Sequence, residues 1–483
     1  MWSASMLRRG PALPRGQGGW VMRHWEAVTP APARFADRAR RSAWVVWLVG
    51  VGVYFLGYVH RSSLGVAGPT AVDRLGISAT ELGSFLMVQL GLYAVMQVPA
   101  GLAIDRWGPR RVLLAATLVM GSAQVAFALA QSFPLALVAR ALLGVGDAAV
   151  FIAVLRLAAT WFPHRRYPVL TMLTGLVGMA GNLAATVPLV IALDELGWTR
   201  TFLLTGLASV GYAVLLLRPE VAAPYRDAGA AADARAVHRP VAQVRAAWAR
   251  RETRLGYWTH QSTMAPGVVI SLVWGYPYLT DGLGYSAPRA ASQLSLFVVA
   301  NLAASFVVGP LAGRRPPWRT PMALSIATAC VLAIAALVLW PGGRPPGAVV
   351  TIAFVVLATG GPGSQVGFHI ARDYNDPGRI STATGLVNAG GFVGAMVAAV
   401  VVGLVLDVRS GSGATTLLDY RWALASVAVI AALSTLAMTV TLLGVRADVL
   451  DRMNRGERVV VATVERWWDR AYRRVVGRPR PSA

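Results

Sequence analysis

Arg61 stands in the stretch VYFLGYVHRSSLGVAGP, residues 53–69, with His60 beside it. The segment around it is apolar. A guanidinium keeps its charge at any physiological pH, and burying it deep in hydrocarbon costs a few kcal/mol or more. Such a group is either satisfied by backbone carbonyls or a buried partner, or it binds an anion. Its planar fork suits a carboxylate or phosphate. Tyr54, Tyr58, Arg61 and Gly65 are spaced by three and four, so they share one helical face that is polar enough to line a cavity. A second apolar segment carries Arg140 and Asp147, seven apart and therefore on one face, with Gly144 between them for close packing. A mid-membrane carboxylate either neutralises an arginine or passes a proton. The two roles are compatible: an anion competing for the arginine would leave Asp147 to take up a proton. His60 is a second proton candidate, since histidine titrates near neutrality.

The elements that carry these residues are long apolar helices. Of 483 residues, 55% are hydrophobic and 14% charged, and mean hydropathy is +0.54. Soluble domains carry about a quarter charged residues. Crossing the hydrocarbon takes about 20 apolar residues. Twelve such stretches are expected, at 43–70, 80–103, 110–130, 134–160, 167–193, 200–218, 255–280, 289–312, 319–340, 346–371, 380–407 and 420–444. The fold class is therefore an all-α integral membrane protein. One cysteine, Cys330, excludes an internal disulfide framework and reads as a small buried hydrophobe.

The net charge of +23 is carried by arginine alone. Of 45 arginines, 36 fall in the N-terminal segment, the connections after even-numbered spans and the C-terminal tail; six fall on the opposite side. Positive residues stay in the cytoplasm, so both termini are expected to face inward across an inner (plasma) membrane, and no nucleic-acid partner is needed to explain the charge. Arg156, within the fourth span, is expected to snorkel to the inner interface. The expected organisation is a basic disordered leader (1–42), a first bundle (43–218), a cytoplasmic linker (219–254), a second bundle (255–444) and a basic tail (445–483). The tail mixes arginine with Val, Trp and Tyr, and is either a helix lying on the inner leaflet or a solvated extension.

An internal repeat organises the spans. VDRLGISA at 72–79 matches TDGLGYSA at 280–287, GLAIDR at 101–106 falls opposite GPLAGR at 309–314, and TGLVGMAG at 174–181 falls opposite TGLVNAGG at 384–391. The offsets are 208, 208 and 210, which implies two homologous six-helix halves running in the same direction. GLAIDRWGPRR, 101–111, resembles the signature between the second and third helices of the major facilitator superfamily, with Pro109 as an extra residue. RALLGVGDAAVF, 140–151, is similar to the family's fourth-helix pattern of an arginine followed by spaced glycines. The resemblance covers about 43–444. It implies a twelve-helix, two-bundle secondary carrier working by alternating access, a transporter and not an enzyme.

The resemblance also assigns roles. The loop residues Gly101, Asp105, Arg106, Gly108, Arg110 and Arg111 are expected to gate, with Asp105 near the start of span 11, where a helix N-terminus favours an anion. In the second half Gly313 stands where Asp105 does in the first, so this latch is expected once. Organic-anion carriers of the superfamily, including anion:cation symporters, resemble the chain in Arg61, Arg140 and Asp147; the acid that commonly precedes the first arginine is His60 here. Substrate-binding residues are expected at Arg61, Tyr58, Tyr54, Gln89, Tyr93 and Arg140, and proton coupling at Asp147 and His60. Organophosphate antiporters use a second arginine in span 7, and nitrate porters use arginines in spans 2 and 8. This chain has none at those places, although AGN at 180–182 is nitrate-porter-like.

Other cavity candidates are Gln97, Asn182, Asn301, Ser364, Gln365 and Asn388, each equally an interhelical hydrogen-bonding residue. His260 and His369 read as gate or packing residues, and GGPG at 360–363 is expected to break span 10. No Gly-Lys-Ser/Thr phosphate loop and no His/Cys/Asp cluster with metal-ligand spacing is present. The reading is a proton-coupled secondary carrier for a small organic anion, monomeric, without cofactor or metal. Its alternatives are efflux of amphipathic compounds and a non-transporting sensor on a carrier fold.

Overall fold

A computed structural model describes residues 33–163, 165–217, 240–410, 415–457, 459 and 463–476. The chain divides into a unit of residues 1–41 and a unit of residues 42–483. Of the first, the described part is helical from Ala33, where the sequence predicted a disordered leader. The second unit is built from helices in the predicted order. Span 1 is Ser42–Gly68. Span 2 is Ala79–Val95 continued by Gln97–Trp107, span 3 is Pro109–Leu129 and span 4 is Phe133–Trp161. Span 5 begins as Tyr167–Ala184; the helix Val187–Tyr212 then finishes it and, after Gly197 at φ 74°, starts span 6. Span 7 is Arg251–Val268 extended through Val269–Trp274 and Tyr278–Gly282, span 8 is Ala287–Arg314 and span 9 is Arg319–Val338. Span 10 is Gly347–Ala358 with Gly360–Tyr374, span 11 is Ile380–Ser410 and span 12 is Leu417–Asn454.

Among the described residues, ten helices are long and apolar enough to cross a membrane, and eleven if the bent pair of span 2 is counted as one. Span 7 completes the order of twelve. It falls outside that test because its first turns, RETRLGYWTHQST, are polar and its second half loosens into π-helical turns after Pro266. Such turns are frequent at functional sites.

Prolines set the bends. Span 2 turns by 48° at Met96; Pro99 lacks an N–H and its ring crowds the carbonyl of Val95. Span 10 is interrupted at Thr359, immediately before GGPG. Pro362 cannot bond the Ala358 carbonyl, and Asn301 of span 8 donates its side-chain amide there instead, at 2.9 Å. Asn301 is therefore the interhelical partner of a carbonyl that proline orphaned.

Small residues set the approach between spans. A Cβ on Gly144 would sit 2.4 Å from the Gln89 carbonyl oxygen, so spans 2 and 4 touch backbone to backbone there. Two large buried clusters follow. One joins spans 1 to 5 and takes in Phe368, Ala371, Ala383 and Val387 from spans 10 and 11. The other is confined to the second bundle.

The connections differ from expectation at two places. Residues 240–249 of the linker form a helix, Pro240–Ala249, packed beside the start of span 11. Span 12 runs on to Asn454, past the predicted end at 444. The tail then returns as a helix, Trp467–Val476, whose Asp469 pairs with Arg446 at 2.7 Å while Arg473 reaches Asp451 at 3.1 Å.

Candidate functional site

Arg61 faces a cavity of about 240 Å³ between the two bundles. Its Nε donates to Asp147 Oδ2 at 2.6 Å, and Nη2 lies 2.6 Å from the same oxygen. The guanidinium also lies over two rings, 4.5 Å from the centroid of Tyr58 and 4.6 Å from that of Tyr93. Asp147 is 1% exposed and sits behind Arg61, out of the cavity, with its Oδ1 turned to Gly57. A Cβ at Gly57 would come within 2.9 Å of that oxygen, so glycine gives the acid its room. Tyr54 and Tyr58 line the same wall, edge to face at 5.0 Å. Gly65 continues the face, exposed and with open space around it.

Three predicted site residues are placed elsewhere. Arg140 is fully buried within the first bundle and does not line the cavity; it donates to the carbonyls of His60 at 3.3 Å and Arg61 at 3.4 Å, and lies over Phe127. Seven residues keep it on the face of span 4 that holds Asp147, but two turns further along it meets backbone. His60 is also fully buried, with Nε2 2.6 Å from Ser209 Oγ of span 6. Consecutive residues on a helix are about 100° apart, so a neighbour of Arg61 faces away from the cavity that Arg61 lines. Gln89 is buried against span 4. A spacing of four advances about 40° round a helix, and the stripe Gln89, Tyr93, Gln97 turns from span 4 to the cavity and then to the second bundle.

Several candidates do reach the cavity from the second bundle, and both histidines are among them. His260 Nδ1 is 3.2 Å from the Ser364 carbonyl, and its ring packs on Phe368 at 4.6 Å. His369 is 1% exposed, and neither ring nitrogen has a hydrogen-bond partner among the described residues. Asn301, Ser364, Gln365 and Asn388 line the same wall, whereas Asn182 is exposed outside it.

Below the cavity the bundles are locked together toward the arginine-rich face. Asn388 donates to Gln97 Oε1. Asp105 accepts from the backbone N–H of Ser381 at 3.0 Å and of Thr382 at 2.7 Å, and from Thr382 Oγ1 at 2.7 Å. It thus occupies the N-terminus of span 11, where freed N–H groups and the helix dipole favour an anion. A Cβ on Gly101 would meet the Ser381 carbonyl oxygen at 2.5 Å. On the pseudo-symmetric side Gly313 packs against the Arg165 carbonyl, with backbone where the first half has a carboxylate.

The rest of the signature is local. Gly108 turns the loop at φ 81°, Pro109 starts span 3, and Arg110 donates to the carbonyls of Leu216 at 2.7 Å and Leu217 at 2.5 Å. Arg106 lies over Trp107, and Arg111 is exposed. Arg156 is half-buried and in coulombic range of Asp105.

Two participants escaped the sequence reading. Arg372 of span 10 donates to the carbonyls of Ala159 at 3.2 Å and Phe162 at 3.0 Å, capping the end of span 4 across the bundle interface. Gln243 of the linker helix donates to Thr382 Oγ1 at 3.0 Å and to the Gly378 carbonyl at 3.3 Å. Both are polar residues in segments that read as loop, and no spacing marks them.

Two six-helix bundles, with Arg61 facing the cavity between them and Asp147 paired behind it, define the class: a multi-pass membrane protein of carrier architecture. Residues 50–369 match the Major Facilitator Superfamily, and the chain belongs to that family. It is 29% identical over 164 residues to a probable sulfoacetate transporter, SauU, of Cupriavidus necator, a match covering 34% of this chain and 38% of that protein. It is 28% identical over 174 residues to a galacturonate transporter of Dickeya chrysanthemi, covering 36% and 50%, and 30% identical over 173 residues to a hexuronate transporter of Bacillus subtilis, covering 35% and 40%. The chain thus matches half or less of the length of these relatives. The solved structure of the proton:xylose symporter XylE superposes with a TM-score of 0.62 at 14% identity, covering 83% of this chain and 95% of that one, a likeness of fold.

Proposed function

We propose that this protein is a secondary carrier that moves a small organic anion together with protons by alternating access. The observation that carries the reading is the arrangement of Arg61 and Asp147. The guanidinium faces the cavity, and its acid partner lies behind it, dry. Charge bookkeeping then gives the coupling. Empty, the pair is neutral. With an anion bound and Asp147 still ionised, the cavity carries one net negative charge, which is costly to occlude in a low dielectric. An anion that draws Arg61 away leaves Asp147 to take up a proton, and the loaded site is neutral again. Both the empty and the loaded forms can cross, so a monoanion travels with one proton.

The lock at Asp105, Gly101 and Arg372 is the gate on the cytoplasmic face, and this structure is the form closed there. Arg106, Gly108, Arg110 and Arg111 shape that loop and anchor it to span 6. The arginine distribution supports placing that face, and both termini, in the cytoplasm, with the protein in the inner (plasma) membrane. The names of the relatives, carriers of sulfoacetate and of uronic acids, support an anionic substrate.

The test uses purified full-length protein. Arg61→Ala should abolish binding of organic acids that the parent binds. Asp147→Asn should retain binding and anion exchange but lose proton-driven accumulation in proteoliposomes. Intact accumulation in either variant overturns the assignment.

A further inference from the structure

We propose that the transported anion is amphipathic, one acid group on an aromatic or alkyl body, and not a polyhydroxylated acid. This rests on the reading of Arg61 as the anion site. Beyond Arg61 and the tyrosines, the apolar part of the cavity's wall includes the thioethers of Met172, Met179 and Met264 and the phenyl rings of Phe151, Phe368 and Phe392.

The polar side chains interspersed among them are mostly committed to the protein. Asn301 caps the Ala358 carbonyl, Ser305 donates to the Asn301 carbonyl at 2.8 Å and Ser364 to the Gly361 carbonyl at 2.7 Å. Thr171 donates to the Tyr167 carbonyl at 2.8 Å, and Asn388 is engaged with Gln97. Their hydroxyl and amide hydrogens repair helix backbones or join helices instead of pointing at a ligand.

A sugar acid brings several hydroxyls, and each one desolvated without a partner costs about 1–3 kcal/mol. Apart from the phenols of Tyr54, Tyr58 and Tyr93 around Arg61, the open capacity among the described residues of this cavity is His260 Nε2, the two ring nitrogens of His369 and Gln365 Oε1. That serves one or two polar substituents, not a chain of hydroxyls. Methionine walls adapt to varied apolar shapes, which fits a family of related aryl and alkyl acids better than one sugar stereoisomer.

Isothermal titration of the purified full-length protein tests this with butanoate, hexanoate, phenylacetate, gluconate and galacturonate. Hexanoate should bind about fifteenfold more tightly than butanoate, from two added methylenes. Phenylacetate should bind at least about tenfold more tightly than gluconate, as expected when apolar area is matched and hydroxyls are not. Met179→Gln, close in size, should weaken phenylacetate several-fold and leave gluconate unchanged. A flat alkyl series, or gluconate or galacturonate binding more tightly than phenylacetate, overturns the proposal. If that sugar-acid binding is lost in Arg61→Ala, the anion site stands and only the amphipathic inference falls. If no acid binds, or binding survives Arg61→Ala, the anion site falls as well.

Discussion

Replacing Asp105 with alanine should loosen the closure on the arginine-rich face. The carboxylate accepts three hydrogen bonds from the first residues of span 11, at 2.7 to 3.0 Å. Asp105 is half-buried, so water can reach the freed N–H groups and recover part of the loss. Loss of a helix N-cap acceptor costs about 0.5–2 kcal/mol, and hydrogen bonds to a charge sit at the upper end or above it. A cost of about 2 kcal/mol, borne only by the closed form, shifts the equilibrium toward opening roughly thirtyfold. Asparagine keeps an acceptor oxygen and should give a shift of about fivefold. Ala383, fully buried in the cluster shared by the two bundles, is the reporter site. In an Ala383→Cys, Cys330→Ala background, a membrane-impermeant maleimide added to the arginine-rich face should label Asp105→Ala at least tenfold faster than the parent, in line with that shift. Equal labelling rates in the two proteins would refute the latch.

Three further outcomes follow from local geometry. Asn301→Ala strands the Ala358 carbonyl and should lower stability by about 1–3 kcal/mol, read as a drop in Tm; in a Pro362→Ala background the restored N–H can serve that carbonyl, and the cost should shrink to a few tenths of a kcal/mol or so. Gly144→Ala drives a Cβ against the Gln89 carbonyl and should cost about 1–3 kcal/mol, whereas Gly65→Ala, which faces open space, should be neutral or mildly stabilising in the same thermal assay. Burial alone would raise the Asp469 carboxyl, but the hydrogen bonds from Arg446 and from the Arg466 N–H outweigh it and hold it below the usual carboxylate range. Tail docking should therefore be fully supported above the unfolded value of about 3.9 and lost as pH falls through the lower folded value. Amide exchange in 467–476, corrected for intrinsic rates, should rise in that window, and Asp469→Asn should show the rise already at pH 7.

The scaffold was legible because a bilayer imposes length and apolarity on each span, and because the repeat offsets are written in the chain. Span 7 was read as an apolar stretch like the others, and its polar first turns make it the weakest of them. The Asp105 position was legible through the loop's resemblance to the family signature, with the preference of helix N-termini for anions as its physical reason. Face assignment was legible only over short distances. Tyr54, Tyr58 and Arg61 keep one face within two turns, while the four-residue spacing carried Gln89 off the cavity and adjacency carried His60 to span 6. Arg140 illustrates another limit: a seven-residue spacing fixes direction, not depth, and its partners are carbonyls that no side-chain pattern reveals. Arg372, Gln243 and the methionine wall depend on which spans meet across the interface, information that resides in the packing of two distant halves.

The pairing of Arg61 with Asp147 makes one demand that can be read directly. Proteoliposomes loaded with a pH-sensitive dye, with protein-free liposomes to subtract passive permeation, receive the tightest-binding acid of the titration panel. Inward movement of the anion should acidify the lumen by one proton per monoanion with no net charge transfer, and Asp147→Asn should exchange anions without acidification. Anion entry that carries net charge and no protons, or undiminished acidification in Asp147→Asn, would contradict the account.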